Sequence, residues 1–483
     1  MKKNIKNICC IGAGYVGGPT MAVIAKKCPH IQINVVDINK KRIEDWNSED
    51  LASLPIFEPG LGDIIKSCRN KNLHFSTDIK KQIANADMIF ISVNTPTKTK
   101  GIGAGKASDL KWVESSAREI SKYAVGSTII VEKSTLPVKT ALTIKRILES
   151  QNNKLNTKSV SQSFAVLSNP EFMSEGSAIK DLENPDRVLI GGEDQEAIKE
   201  LINIYLNWVD FEKILTTDLW SSELSKLIAN AFLAQRISSI NSMTALCEKT
   251  GADIKNVSLA IGSDKRIGQY FLDSGPGFGG SCFKKDILNL VYICNHYGLD
   301  EVSSYWQKVV DINIWQQKRI SHIVVDKLFR TVSGKKIAIF GFAFKSNTND
   351  TRESPAISIC NDLIEEGSNI YIYDPKVREL QIEKDLGVET NKKYSRNNDD
   401  GYWHYSKSID ETIKEADAII ILTGWSEFKK LNYENIFKLM RSPSWIFDAR
   451  GILDPNHIQS IGFRFWRIGL GNQNVSQYFD MQF

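Results

Sequence analysis

Short apolar runs alternate with stretches of helical period from the first residues of the chain onward. Asn7 to Ile11 is apolar and leads into Gly12-Ala13-Gly14-Tyr15-Val16-Gly17-Gly18. A helical stretch follows, then Ile33-Asn34-Val35-Val36-Asp37. The order is strand, glycine turn, helix, strand, acid. Two further runs, Met88 to Val93 and Thr128 to Val131, end in the polar loops Asn94-Thr95-Pro96-Thr97 and Glu132-Lys133-Ser134-Thr135-Leu136-Pro137. Strands alternating with helices predict a parallel sheet covered on both faces. Ligands bind such sheets where the strands end, so both polar loops are candidate ligand contacts.

The plan recurs later. Lys336 to Phe340 precedes Gly341-Phe342-Ala343-Phe344-Lys345, and Ile370 to Tyr373 precedes Asp374-Pro375. Ala416 to Thr423 echoes Ala86 to Val93, and Trp445 to Phe447 precedes Asp448-Ala449-Arg450. This second domain lacks G-x-G-x-x-G and is expected to hold a different ligand. Between the two, no Pro or Gly interrupts Ser221 to Thr250, which predicts one long helix. Its Leu224, Leu227, Ile228, Ala231 and Ala234 recur at helical spacing, so that side is expected to face other protein. The predicted fold class is α/β: two doubly wound Rossmann-like domains joined by a long central helix and a helical dimerisation domain. The expected boundaries are 1–219, 220–330 and 331–483. Asn397 to Tyr402 reads as a polar insertion, and the polar tail after Gly469 is expected to fray.

Composition narrows the function classes. The 483 residues are 42% hydrophobic and 24% charged, with a net charge of +4. That excess is too small to announce a nucleic-acid or membrane partner, and none is expected. No stretch is long enough to span a bilayer, and the apolar run near the N-terminus is too short for a signal peptide. The eight cysteines are scattered, with no C-x-x-C pair and no zinc spacing, so no metal is expected. Such scatter fits reduced thiols in a cytoplasmic protein.

The glycine turn carries the first chemistry. Gly12 permits a tight turn, Gly14 admits a pyrophosphate to the backbone, and Gly17 lets helix and strand pack closely. The helix N-terminus offers free N–H groups to phosphates. Asp37 can accept from the adenosine ribose and would repel the extra phosphate of NADP, so NAD is the expected cofactor. Arg42 could instead bind that phosphate or stack on adenine.

Gly277-Phe278-Gly279-Gly280-Ser281-Cys282-Phe283-Lys284-Lys285-Asp286 carries the second. Glycines run directly into a helical pattern, which places Cys282 at a helix N-terminus where the dipole favours the thiolate. Lys285 adds positive charge, and Asp286 lies one turn on, better suited to water than to sulfur. A thiol beside a nicotinamide cofactor points to oxidation of an aldehyde to an acid, through a thiohemiacetal and a thioester. Lys226 and Asn230 share a helix face and could stabilise an oxyanion, or Lys226 could merely pair with Glu223 on a solvated face. Asn169-Pro170-Glu171 reads as a helix start with Asn169 as cap, so Glu171 and Glu175 either complement that helix dipole or act in catalysis.

Taken together, GAGYVGGP, VNTPTKT, EKSTLP, SNPEF, NPDRVLIGG, SSELSKLIANAFLAQRISSINS, GFGGSCFKKD, GFAFKSNTNDTRES and YDPK resemble the UDP-glucose 6-dehydrogenase family over nearly the whole chain. The resemblance implies four-electron oxidation of UDP-glucose to UDP-glucuronate by NAD, feeding polysaccharide or glycan biosynthesis. It implies Cys282 as nucleophile, Lys226 and Asn230 stabilising charge at the reacting oxygen, Asp286 and Thr135 positioning water, and Glu171 as acid/base. For NAD it points to Gly12, Ala13, Gly14, Tyr15, Val16, Gly17, Asp37, Arg42, Val93 through Thr97, Ser134, Thr135, Glu175, Cys282, Lys285 and Arg352. For UDP-glucose it points to Glu171, Phe172, Glu175, Lys226, Asn230, Phe278, Gly279, Phe344, Lys345 and Arg450, with Arg266 reaching the site of a neighbouring subunit. It implies a homo-oligomer, a dimer or a hexamer built of dimers. Asp273, Ser346-Asn347 and Ala449 depart from the family pattern. A related enzyme acting on GDP-mannose or a UDP-N-acetylhexosamine, and a non-catalytic binder on the same fold, are the rival readings.

Overall fold

The computed structural model describes residues 5–135, 137–152, 162–391 and 401–471. The insertion at Asn397 to Asp400 and the tail beyond 471 lie outside the described residues. The chain divides into two compact units. The first is Met1–Ala229 with Leu288–Gly298; the second is Asn230–Ile287 with Leu299–Phe483.

Among the described residues the first unit is built on eight strands: β1 Asn7–Ile11, β2 Gln32–Val36, β3 Leu73–Ser76, β4 Met88–Ile91, β5 Ser127–Glu132, β6 Ser163–Ser168, β7 Val188–Gly192 and β8 Ile214–Thr217. Their order is β3-β2-β1-β4-β5-β6-β7-β8. Side chains on a strand alternate between faces, and here both faces are buried. Cys10, Val35, Phe90 and Val131 pack into one core, while Cys9, Val36, Ile89 and Ile130 pack into another. Continuous apolar runs result, as expected of a sheet covered on both sides. Helix α1, Gly17–Lys27, leaves the glycine turn, and α2, Thr140–Asn152, follows the loop after β5. Helix α3, Gln195–Tyr205, follows β7 and is capped by Asp194.

One departure from the expected all-parallel sheet bears on function. β7 pairs with β6 antiparallel, through Leu167↔Gly192 and Ser168↔Gly191. An antiparallel neighbour needs no crossover to the far edge, so the segment after β6 stays at the carboxyl end of the strands. That segment carries Glu171. It is not a helix start: the helix there is Ala178–Glu183. Its first N–H groups are held by Glu58, which accepts from Ala178. Asn169, at the end of β6, is instead tied across to β7, donating to the Leu189 carbonyl at 2.8 Å.

Among the described residues the second unit holds six strands, all parallel: β9 Lys336–Phe340, β10 Asn369–Tyr373, β11 Tyr402–Tyr405, β12 Ala418–Ile421, β13 Trp445–Asp448 and β14 Arg464–Arg467. Their order, β11-β10-β9-β12-β13-β14, repeats that of the first six strands. The repeat extends to the acid that ends the second strand. Asp37 accepts from the Ala13 N–H at 3.0 Å. Its counterpart Asp374 accepts from Phe342, Ala343, Lys376 and Val377 N–H groups and from the Trp425 indole.

Helix α4, Leu219–Thr250, is unbroken, and the division between units falls within it at Ala229/Asn230. Its buried face keeps Leu227, Ala231 and Ala234 of the predicted stripe but is broader and more polar than that stripe. Ile228 is exposed and Leu224 half-buried, while Glu223, Lys226, Asn230, Ser238, Asn241 and Thr244 are buried with Leu227, Ala231 and Ala234. Buried polar groups are tolerated when paired. Ser238 donates to the Val309 carbonyl at 2.7 Å, and Asn241 accepts from Gly275 N–H at 2.9 Å. Helix α5 is Ile254–Gly262, α6 is Phe283–His296 and α7 is Asp300–Lys327.

Candidate active site

In the first unit the glycine turn is fixed by close approach. A Cβ on Gly12, whose φ is +108°, would lie 2.4 Å from the Ser92 carbonyl oxygen. One on Gly17 would lie 2.0 Å from the Gly12 carbonyl oxygen. Gly14 differs: a Cβ there would meet nothing within 4 Å. The protein does not need that space itself, and it lies where a pyrophosphate would approach the N-terminus of α1. Tyr15 and Val16 complete the turn, and the Ala13 carbonyl accepts from Trp46 at 2.9 Å. Arg42 pairs with Asp37 at 3.0 Å with its side chain partly exposed. These residues fit NAD.

The loops after β4 and β5 brace one another. Thr95 donates to the Thr135 carbonyl at 3.0 Å, and Ser134 to the Val93 carbonyl at 2.8 Å. Asn94, Pro96 and Thr97 continue the first loop, where Pro96 accepts from Asp109 N–H at 2.7 Å.

Beside them lies a cluster that motif reading missed. Lys133 is 3% exposed. Its ammonium donates to Asn169 Oδ1 at 3.0 Å and Tyr205 OH at 3.1 Å, and pairs with Glu171 at 2.9 Å. Burial works against its charge, yet Glu171 and Tyr205 outweigh that and hold it above the ordinary lysine value. Glu171 Oε1 accepts from the Phe172 and Met173 N–H groups at 2.9 and 3.1 Å. Burial opposes its charge too, but Lys133 first and Lys226 next hold its carboxyl below the usual range. The Lys226 ammonium lies 5.2 Å from the centre of the Phe172 ring, with Arg187 at 3.9 Å from the same ring. Lys226 is therefore no solvated partner of Glu223. Glu223 instead accepts from Lys139 and Ala141 N–H groups at the start of α2. Burial and the Glu223 charge push the Glu132 carboxyl well up. Glu175 sits in the turn before Ala178–Glu183.

In the second unit Cys282 immediately precedes α6 and accepts, through its carbonyl, the first-turn hydrogen bond from Asp286 N–H at 2.8 Å. Seven of the eight cysteines are buried; Cys282 alone is partly exposed. Burial pushes Cys10 up to about 12 and Cys28 up to about 11, so these thiols are inert. Asp286 is 2% exposed; it accepts from Asn230 at 2.6 Å, and Lys285 lies 3.6 Å away. The glycine run before Cys282 is clamped along its length. Asn313 exchanges two hydrogen bonds with the Phe278 backbone, and Gly280 N–H donates to the Arg352 carbonyl at 2.8 Å. Gly279 abuts Phe344, where a Cβ would stand 2.7 Å away. Arg450 donates to the Leu422 and Phe344 carbonyls at 2.7 and 2.8 Å, and burial brings its guanidinium down to about 10. Lys345 follows Phe344, and Arg352 pairs with Asp350. Arg266 is exposed, held to Asp264 in a turn that Arg236 clamps by donating to the Ile267, Gly268 and Tyr270 carbonyls.

The expected residues thus fall into two groups. Gly12 to Gly17, Asp37, Arg42, Val93 to Thr97, Ser134, Thr135, Glu171, Phe172, Glu175 and Lys226 belong to the first unit. Asn230, Arg266, Phe278, Gly279, Cys282, Lys285, Asp286, Phe344, Lys345, Arg352 and Arg450 belong to the second.

Three family models match, described as the NAD binding, central and UDP binding domains of the UDP-glucose/GDP-mannose dehydrogenase family, over residues 6–209, 220–315 and 338–455. A UDP-glucose 6-dehydrogenase of Glycine max is 53% identical over 96% of each chain. That of Gallus gallus is 54% identical over 96% of this chain and 93% of its own. Among solved structures, a UDP-glucose dehydrogenase from Pyrobaculum islandicum superposes with a TM-score of 0.81 at 27% identity, covering 97% of this chain and 98% of its own.

Proposed function

This chain belongs to the UDP-glucose/GDP-mannose dehydrogenase family, and from that membership we propose how its residues carry out the NAD-dependent oxidation of UDP-glucose to UDP-glucuronate. The observation that carries the reading is Cys282: the one cysteine not buried, set at a helix N-terminus and reached through a clamped glycine loop. NAD, bound as two molecules in succession, would accept one hydride each from C6 of the sugar. Lys226 and Asn230 stabilise the negative oxygen on C6, first as alkoxide and then as oxyanion. The Cys282 thiolate adds to the C6 aldehyde, giving a thiohemiacetal whose oxidation leaves a thioester. Thr135 and Asp286 position the water that hydrolyses it, releasing the carboxylate and the thiolate. Glu171 balances the charge of Lys226.

For the dinucleotide we assign Gly12 to Gly17, Asp37, Arg42, Val93 to Thr97, Ser134, Glu175, Lys285 and Arg352. For the sugar nucleotide we assign Phe172, Phe278, Gly279, Phe344, Lys345 and Arg450. The expected yield is two NADH per UDP-glucose, read by absorbance against product. One NADH per sugar points to a simple alcohol dehydrogenase and none to a binder. Turnover of GDP-mannose or a UDP-N-acetylhexosamine without turnover of UDP-glucose overturns the substrate assignment.

We further infer a homo-oligomer. The second unit leaves Phe232, Met243, Leu246, Leu259 and Tyr270 exposed, an apolar surface that favours association. Arg266, also exposed, is assigned to the neighbouring copy's site. Light scattering is expected to give a dimer or larger. Arg266→Ala and Cys282→Ser chains, each inactive, should recover activity in about a quarter of their sites when mixed and reassembled, since half the dimers then hold one complete site. No recovery from demonstrably mixed dimers places Arg266 in its own chain's site.

Among the described residues no helix is long and apolar enough to cross a membrane. The eight free thiols support placing the enzyme in the cytoplasm, where such thiols stay reduced.

A further inference from the structure

Lys133 has no part in the mechanism above, yet it is the most deeply buried ammonium around Glu171. We propose that Lys133 is a positioning residue that keeps Glu171 ionised and aimed throughout turnover, so that Glu171 serves as a fixed anion beside Lys226 and carries no proton. The inference rests on the reading of Glu171 as part of the UDP-glucose oxidation site.

The argument is one of saturation. A carboxylate accepts at about four lone-pair positions, and donors already meet those of Glu171. Its Oε1 takes the Phe172 and Met173 N–H groups. Its Oε2 takes the Lys133 ammonium at 2.9 Å and faces the Thr20 hydroxyl of α1 at 3.5 Å. A proton on either oxygen would have to displace a donor. Lys133 cannot move aside, because Asn169 and Tyr205 hold its other hydrogens and are joined to each other at 2.6 Å. Tyr205 comes from α3, Asn169 from the end of β6 and Lys133 from the end of β5. Three elements therefore converge to fix one ammonium against one carboxylate. The charged groups facing Glu171 are Lys133 and, from α4, Lys226. Arg187 lies over the adjacent Phe172 ring.

The sign of the pH effect follows. Burial raises the Glu171 carboxyl and Lys133 is the largest influence lowering it. With Lys133 gone, the carboxyl takes up its proton at higher pH, and activity that needs the anion falls as pH drops through that value. The expected result for Lys133→Met is a new acid limb in kcat/KM for UDP-glucose between about pH 5 and 8. With it comes a fall in kcat of about tenfold or more at neutral pH. Lys133→Arg, which keeps the charge, should retain the wild-type profile. The double variant Lys133→Met with Glu171→Gln should lack the new limb. A Lys133→Met profile that superimposes on the wild type overturns the proposal. Should Lys133→Met not fold, Lys133→Gln, which also removes the charge but stays polar, takes its place in the same pH series and is read by the same two outcomes. Failure of the wild-type chain to oxidise UDP-glucose at all marks instead the failure of the underlying reading.

Discussion

Replacing Cys282 by Ser is expected to cut UDP-glucuronate formation at least about a thousandfold, some 4 kcal/mol of barrier, while the fold and UDP-glucose binding persist. Serine keeps a hydroxyl in place of the thiol at a position that is only partly buried, so the fold is expected to tolerate it. What changes is nucleophilicity. A helix N-terminus brings a thiol within reach of ionisation at neutral pH, but it does not do so for an alcohol. The surviving reaction is the first oxidation, so the variant should yield no more than one NADH per sugar. Product analysis by mass spectrometry checks this, and undiminished synthesis of the acid removes the covalent mechanism. Labelling gives an independent reading. Since the other seven thiols are buried, iodoacetamide should modify one cysteine in the folded wild type and none in the variant.

Alanine at Gly14 and at Gly17 should fail in opposite ways. The Gly14 methyl meets nothing within 4 Å, so Gly14→Ala is expected to melt within a degree or two of the wild type. It should nonetheless bind NAD at least about a hundredfold more weakly, because the methyl occupies the approach of the pyrophosphate. The Gly17 methyl would stand 2.0 Å from the Gly12 carbonyl oxygen. Backbone lies on both sides of that clash, so Gly17→Ala should cost about 3 kcal/mol or more of stability, at the upper end of overpacking. Thermal denaturation and NAD titration separate the two cases. Wild-type NAD affinity in Gly14→Ala removes that turn from the cofactor site.

The contrast shows what pattern alone conveyed. Glycine spacing and the acid of Asp37 were legible because a dinucleotide turn imposes them on neighbouring residues. Strands β1, β2, β4, β5, β9, β10, β12 and β13 were legible as apolar runs ending in polar or acidic residues. Of the six others, β3, β8, β11 and β14 are short and lie at sheet edges, as in β3 with its half-buried His74 and Ser76, whereas β6 and β7 are no shorter than strands that were legible. Polar residues misled most. Asn169 has the form of a cap but works as a bracket for Lys133, since its partners come from β7 and α3. The α4 stripe was assigned from its leucines, whereas burial also takes in the paired polar side chains of Glu223, Lys226 and Asn230. Lys133 stood in plain view within EKSTLP, but nothing local marks a lysine whose partners are 36 to 72 residues away. Such pairings belong to tertiary structure and leave no period in the chain.

The fate of Asp374 bears on how far the second domain could be re-engineered. Five donors from its own domain occupy its two oxygens, whereas Asp37 receives the Ala13 and Asn39 N–H groups and one exchangeable arginine. Grafting a dinucleotide-type glycine turn after β9 would thus not create a second coenzyme site, because the ribose would find its acceptor already spent on the scaffold. The same position is thus lightly engaged in one domain and locked into the scaffold in the other.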